Sequence, residues 1–271
     1  MNKKNNIGLI FIILLIGFLL IGCNGNQTTA EEKPELEQYF LEANGTFVLF
    51  DLNQNTYIRY NPIRSAERFL PASTFKIINS LIGLETGVIP DENYVIQWDG
   101  TPYDVPSWNQ DHTLKTAIRN SVIWYYQELA RRVGKEQMQE SINAIDYGNR
   151  DLSGSIDTFW LEGGLRISAD EQVEILKRLY ANQLPFSEKT MEIVKEILVL
   201  EKTETYQLSG KTGSVQRVMP HTGWFVGYLE TNGNVYFFAT NYETTDQNGI
   251  SNGETARNIT KTILQRMELI P

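Results

Sequence analysis

The chain has 271 residues, 41% of them hydrophobic, and a formal net charge of -9. That is enough apolar side chain for one large core, and the wrong overall sign for nucleic acid, since no Lys/Arg run opposes it. The only two histidines, His112 and His221, stand outside any metal-binding spacing, and a single cysteine, Cys23, excludes an internal disulfide framework; no metal site is expected.

The chain opens with "MNKKNNIGLIFIILLIGFLLIGC": Lys3 and Lys4, an apolar stretch from Ile7 to Ile21, then Gly22 and Cys23. The stretch is shorter than the ~20 residues a bilayer span requires, which argues against an uncleaved anchor. The pattern resembles a bacterial lipoprotein signal at 1–22, after which a lipidated Cys23 would hold the protein at the outer face of the cell membrane. Its removal takes two lysines and no acid, leaving a mature charge of -11. The polar run "NGNQTTAEEKPELE" then predicts a flexible tether over 23–37, with one domain spanning 38–271.

"GTFVLFDLNQNTYIRYN" predicts a β-hairpin turning between Asp51 and Thr56. From Ser73 to about Leu200 the apolar period is helical. One helical run extends from Leu114 to Val133 and stops at Gly134, and Ser168 to Glu171 forms a capping box that opens a helix through Tyr180. "TGWFVGYLE" and "NVYFFATN" are strands joined by an Asn232-Gly233 turn, and "GETARNITKTILQRM" closes the chain as a helix. Strands at both chain ends with helices between predict an α+β fold whose antiparallel sheet is completed by the termini. Composition carries no signal for oligomeric state.

Three short motifs carry chemistry. Ser73 and Lys76 in "PASTFKI" lie one helical turn apart, where the helix N-terminus favours charge on an attacking oxygen. A lysine acts as base only when neutral, so its neighbours must be apolar. Ser121 precedes a second helix, and Lys211-Thr212-Gly213 falls on a strand edge. Taken alone, Ser73 and Lys76 fit a helix cap and a surface lysine. Ser-x-x-Lys, a middle serine and Lys-Thr-Gly in this order together are the signature of serine β-lactamases and penicillin-binding proteins.

The chain resembles the class D (oxacillinase-type) β-lactamases of that superfamily over nearly its whole mature length. "PASTFKI", "LIGLETGVI", "WNQDHTLKTAI", "SVIWYYQELARRVG", "YGN", "FWLEGGLRIS", "GKTGS" and "GWFVGYLE" carry the match. The resemblance implies an α/β/α sandwich and hydrolysis of penicillin-type β-lactams through an acyl-Ser73 intermediate. It implies that Lys76 is carboxylated by carbon dioxide or bicarbonate to serve as general base, steadied by Trp160 and enclosed by Val122 and Ile123, with Val122 also in contact with substrate. Ser121 would relay a proton to the leaving nitrogen. Lys211, Thr212, Gly213 and Arg257 would bind the substrate carboxylate, and the N–H groups of Ser73 and Ser214 would form an oxyanion hole. Gly164 stands where the family often has proline, which implies a looser loop. The competing readings are a penicillin-binding transpeptidase or carboxypeptidase and a non-hydrolytic β-lactam sensor, both of which keep the acyl group.

Overall fold

The computed structural model describes residues 28–40, 43–215, 220–244 and 253–271. Strands β1 (Thr29–Glu32), β2 (Asn44–Asp51) and β3 (Thr56–Tyr60) open it, β4 (Val95–Ile96) and β5 (His112–Thr113) form a small separate ribbon, and β6 (Val199–Lys202), β7 (Tyr206–Val215), β8 (His221–Thr231) and β9 (Asn234–Thr244) follow the helical middle. That middle holds α1 (Pro62–Ala66), α2 (Lys76–Glu85), α3 (Leu114–Arg119), α4 (Ile123–Val133), α5 (Lys135–Ile145), α6 (Ala169–Tyr180) and α7 (Glu188–Ile197); α8 (Gly253–Arg266) comes last.

The main sheet runs β1-β3-β2-β9-β8-β7-β6, antiparallel throughout except where β1 pairs parallel to β3. Alternation along β2 builds both of its faces. Phe47 and Leu49 join Leu36, Phe225, Phe238, Ile263 and Leu264 under α8, while Val48 and Phe50 join the core shared with α2, α4 and α6. This is the layered α+β arrangement expected from strands at both chain ends. The β8–β9 hairpin turns on Asn232 (φ 52°) and Gly233 (φ 71°), left-handed at both central positions as a twist-matched two-residue turn requires. At α6, Ser168 Oγ accepts from Glu171 N and a Glu171 carboxylate oxygen accepts from Ser168 N, completing the expected capping box.

Two expectations need correction. The fold begins well before residue 38. Thr29–Glu32 pairs along β3, Lys33 N donates to Arg59 O at 2.7 Å, and Leu36 in the 3-10 turn Pro34–Tyr39 is buried, so much of the supposed tether is built into the domain. The polar composition concealed this because an edge strand is satisfied by backbone pairing alone and needs no apolar period. The run from Leu114 to Val133 is two helices, interrupted at residues 120–122. The signal at 1–22 and Cys23 lie outside the described residues. Among the described residues no helix is long and apolar enough to cross a membrane.

Candidate active site

Pro71 leads into a single 3-10 turn, Ala72–Phe75, which becomes α2 at Lys76. Ala72 sits at φ 50°, a left-handed conformation unusual for a residue with a side chain, and so the next residue, Ser73, is turned into a cleft. Lys76 Nζ lies 2.7 Å from Ser73 Oγ. The lysine is only 1% exposed, and burial, followed by the nearby Lys211 charge, holds its amine well below the usual lysine range. The Tyr126 ring forms a floor 5.4 Å from Nζ, and the Tyr126 hydroxyl bonds Ser80 Oγ, which donates to Lys76 O.

The second segment is the break between α3 and α4. Ser121 also takes a left-handed conformation (φ 53°), and its neighbour Val122 folds back to donate its N–H to Ala117 O at 2.9 Å. That kink presents Ser121 to the cleft and turns Val122 into the core, fully buried. Ile123 lines the cleft in its place, contrary to the substrate-contact role expected for Val122.

The third segment is β7. The edge strand β6 pairs only as far as Ser209, leaving Lys211 to Val215 with an open edge beside the Ser73 turn. Lys211 Nζ donates to Ser121 Oγ (3.0 Å) and Thr212 O (2.9 Å), and burial draws its amine down to about 7. A Cβ at Gly213 would come within 3.1 Å of Pro71 O, so glycine permits the strand to pack on the nucleophile's turn. Ser214 lines the same cavity of about 440 Å³, together with Tyr103, Trp108 and Leu161. Ser214 Oγ accepts from Gly253 N, docking α8.

Arg257 is not brought into the cleft with Ser73. It lines an adjoining cavity of about 220 Å³ that meets the cleft at Thr212 and Glu254, and its guanidinium engages Glu254 at 3.4 Å, one turn back on α8. Trp160 is fully buried, stacked on Phe75 with ring centroids 5.5 Å apart, and its carbonyl accepts from Ala72 N. Its indole N–H is buried without a hydrogen-bond partner among the described residues. A buried donor without a partner fits an acceptor carried by another group.

Residues 44–265 match the penicillin binding protein transpeptidase domain family. The chain is 42% identical to Beta-lactamase OXA-48 of Klebsiella pneumoniae over 94% of its own length and 97% of that protein. It superposes on the crystal structure of FUS-1 (OXA-85), a class D β-lactamase from Fusobacterium nucleatum subsp. polymorphum, with a TM-score of 0.84 at 40% identity, covering 89% of this chain and all of that one. The chain belongs to the class D β-lactamase family. It is also 38% identical to the regulatory protein BlaR1 of Bacillus licheniformis over 95% of its length, spanning 45% of that protein.

In this class D chain Gly164 is a point of close approach, not of looseness. Its N–H donates to Ser153 O, its carbonyl accepts from Asn149 Nδ2, and a Cβ there would lie 2.4 Å from the Asp151 carboxylate. A proline would lose that donor and force Asp151 aside. The loop from Asn149 to Arg166, which carries Trp160, is closed by Asn149 N donating to Arg166 O and Arg166 N donating to Asn149 Oδ1. Sequence reasoning missed Tyr126 and Ser80 beneath Lys76. The available signal was a tyrosine and a serine on the buried faces of adjoining helices, which reads equally well as core.

Proposed function

We propose that the protein hydrolyses β-lactam antibiotics of the penicillin and oxacillin type through an ester to Ser73. The observation that carries this reading is the 2.7 Å approach of the buried, proton-poor Lys76 amine to Ser73 Oγ. Lys76 takes the Ser73 proton as Oγ attacks the lactam carbonyl. The N–H groups of Ser73 and Ser214 stabilise the oxyanion, and Ser121, held at 3.0 Å by Lys211, passes a proton to the departing ring nitrogen. Carbon dioxide bound by the neutral Lys76 amine supplies a carbamate base at that position, and the apolar shell with the unpartnered Trp160 N–H fits such a group. Water then cleaves the Ser73 ester and frees the ring-opened acid. Lys211 and Thr212 bind the substrate carboxylate, with Arg257 contributing its charge from the neighbouring cavity.

The similarity to BlaR1 supports a second reading, in which the acyl group stays on Ser73 as a signal. Deacylation separates the two. Steady-state assay on penicillin in carbon-dioxide-depleted buffer is expected to show activity that falls and then recovers on adding bicarbonate; a single turnover that bicarbonate leaves unchanged would reject hydrolysis. We further propose that Cys23 is lipidated after removal of 1–22, placing the enzyme on the outer face of the cell membrane, a reading supported by the charged start and apolar stretch of the sequence.

A further inference from the structure

The chain enters the fold at the sheet edge farthest from the chemistry. β1 is the first strand in the sheet and β7 the sixth, so five inter-strand steps of ~4.8 Å put them ~24 Å apart. The register connects Thr29 through Thr56, Asp51, Tyr236 and Leu229 to Leu208. Lys211 and Ser214 lie three and six residues further along β7, roughly 10–20 Å toward its other end at ~3.3 Å per residue. Thr29 is held by its N–H to Asn55 O and by a 2.7 Å hydroxyl contact with Thr56.

This placement changes what a lipid on Cys23 does. A flexible tether over 23–37 would reach roughly 50 Å, but with the chain captured at Thr28 only five residues remain, a reach of ~17 Å. A domain of this length is ~45 Å across, so the leash is shorter than the body it holds. We propose that the fold orients the enzyme on its membrane: the end of the sheet formed by the β2–β3 and β8–β9 turns faces the lipid head groups, and the catalytic cleft opens away from them. The inference rests on the lipidation of Cys23 proposed above.

The chemistry of the two surfaces near the leash decides which one meets lipid. The flank of β1 and the following turn carries Glu31, Glu32 and Glu35 against Lys33, and an anionic membrane repels it. The turn end is exposed and uncharged at Asn53, Gln54, Asn232 and Gly233, and Leu52 is 42% exposed there. Asp51, the one acid of these two turns, is buried and accepts from Gln54 N and Asn234 Nδ2, and the adjoining β6–β7 turn sets Lys202 against Glu204 with no net charge. The two turns form one platform, since Asn53 N donates to Asn234 Oδ1 and Asn53 Nδ2 to Gly233 O.

The test uses full-length lipidated protein in vesicles of phosphatidylcholine and phosphatidylglycerol containing a photoactivatable phospholipid, with cross-linked peptides read by mass spectrometry. The orientation predicts that peptides bearing residues 51–55 and 231–234 are labelled about fivefold or more above those bearing 103–108, given a leash of ~17 Å on a ~45 Å body. Leu52→Glu should lower that labelling with turnover unchanged, and fifteen Gly/Ser residues inserted after Asn24 should erase the contrast. Equal labelling in vesicle-bound wild type overturns the orientation and leaves the anchor standing. Failure to partition into vesicles overturns the anchor and the orientation with it.

Discussion

At Lys76 catalytic need and stability pull in opposite directions. Burial depresses the amine's affinity for protons below its unfolded value, so between those two values the unfolded chain binds the extra proton. Stability contributed at this site therefore rises with pH toward the unfolded lysine value and falls as pH drops toward the folded one. Lys76→Met keeps the volume and removes the buried amine. It is expected to abolish turnover yet raise Tm at pH 7, by about 2–4 °C for each kcal/mol relieved, a gain that shrinks as pH approaches 10; calorimetry across pH reads it. Lys211, drawn down to about 7, carries full charge only below that value. The KM for a penicillin should then rise as pH climbs through 7 to 8, and in Lys211→Arg this slope should vanish even though kcat suffers, because arginine stays charged. Ser73, Lys76, Ser121 and Lys211 were legible because the chemistry demands those residue types in fixed order. The burial of Val122 away from the cleft and the seat of Arg257 in the adjoining cavity were not legible, because they depend on a kink at Ser121 and an ion pair with Glu254, neither of which has a pattern in sequence.

The cleft exists because three elements approach more closely than side chains normally allow. Gly253, at the start of α8, shows this best: a Cβ there would lie 2.4 Å from Thr212 Cβ and 2.9 Å from Gly213 N. Gly253→Ala must push α8 away from β7 at the Lys-Thr-Gly segment. A loss of about 1–3 kcal/mol in stability, as overpacking typically costs, and a fall in kcat/KM larger than that in kcat are expected, read by denaturant unfolding and steady-state assay. The hairpins, the α6 capping box and the last helix were legible from turn chemistry and apolar period. Apolar period alone runs through the interruption of the Leu114–Val133 stretch, because Val122 and Ile123 continue the pattern across a break at which Ser121 turns left-handed; only the serine motif, read as preceding a helix, marked it. Periodicity records which residues are buried, not whether the chain stays helical between them.

Across the whole molecule, the sheet takes strands from both chain ends and leaves β7 open on one side just where the helical region supplies Ser73 and Ser121. The layered fold follows from strand runs at the ends and helical period between, whereas capture of Thr29–Glu32 at the far edge does not, since backbone pairing leaves no mark on side-chain composition. The same architecture serves enzymes and, as the likeness to BlaR1 indicates, a regulatory protein. The two readings proposed for this chain differ in the fate of a Ser73 ester. Timed mass spectrometry of the protein mixed with a penicillin in bicarbonate buffer tests this most directly. The account predicts a penicillin-mass adduct on the peptide carrying Ser73 that appears and clears while substrate is consumed in many-fold excess; an adduct that persists after one equivalent, or sits on another residue, would contradict it.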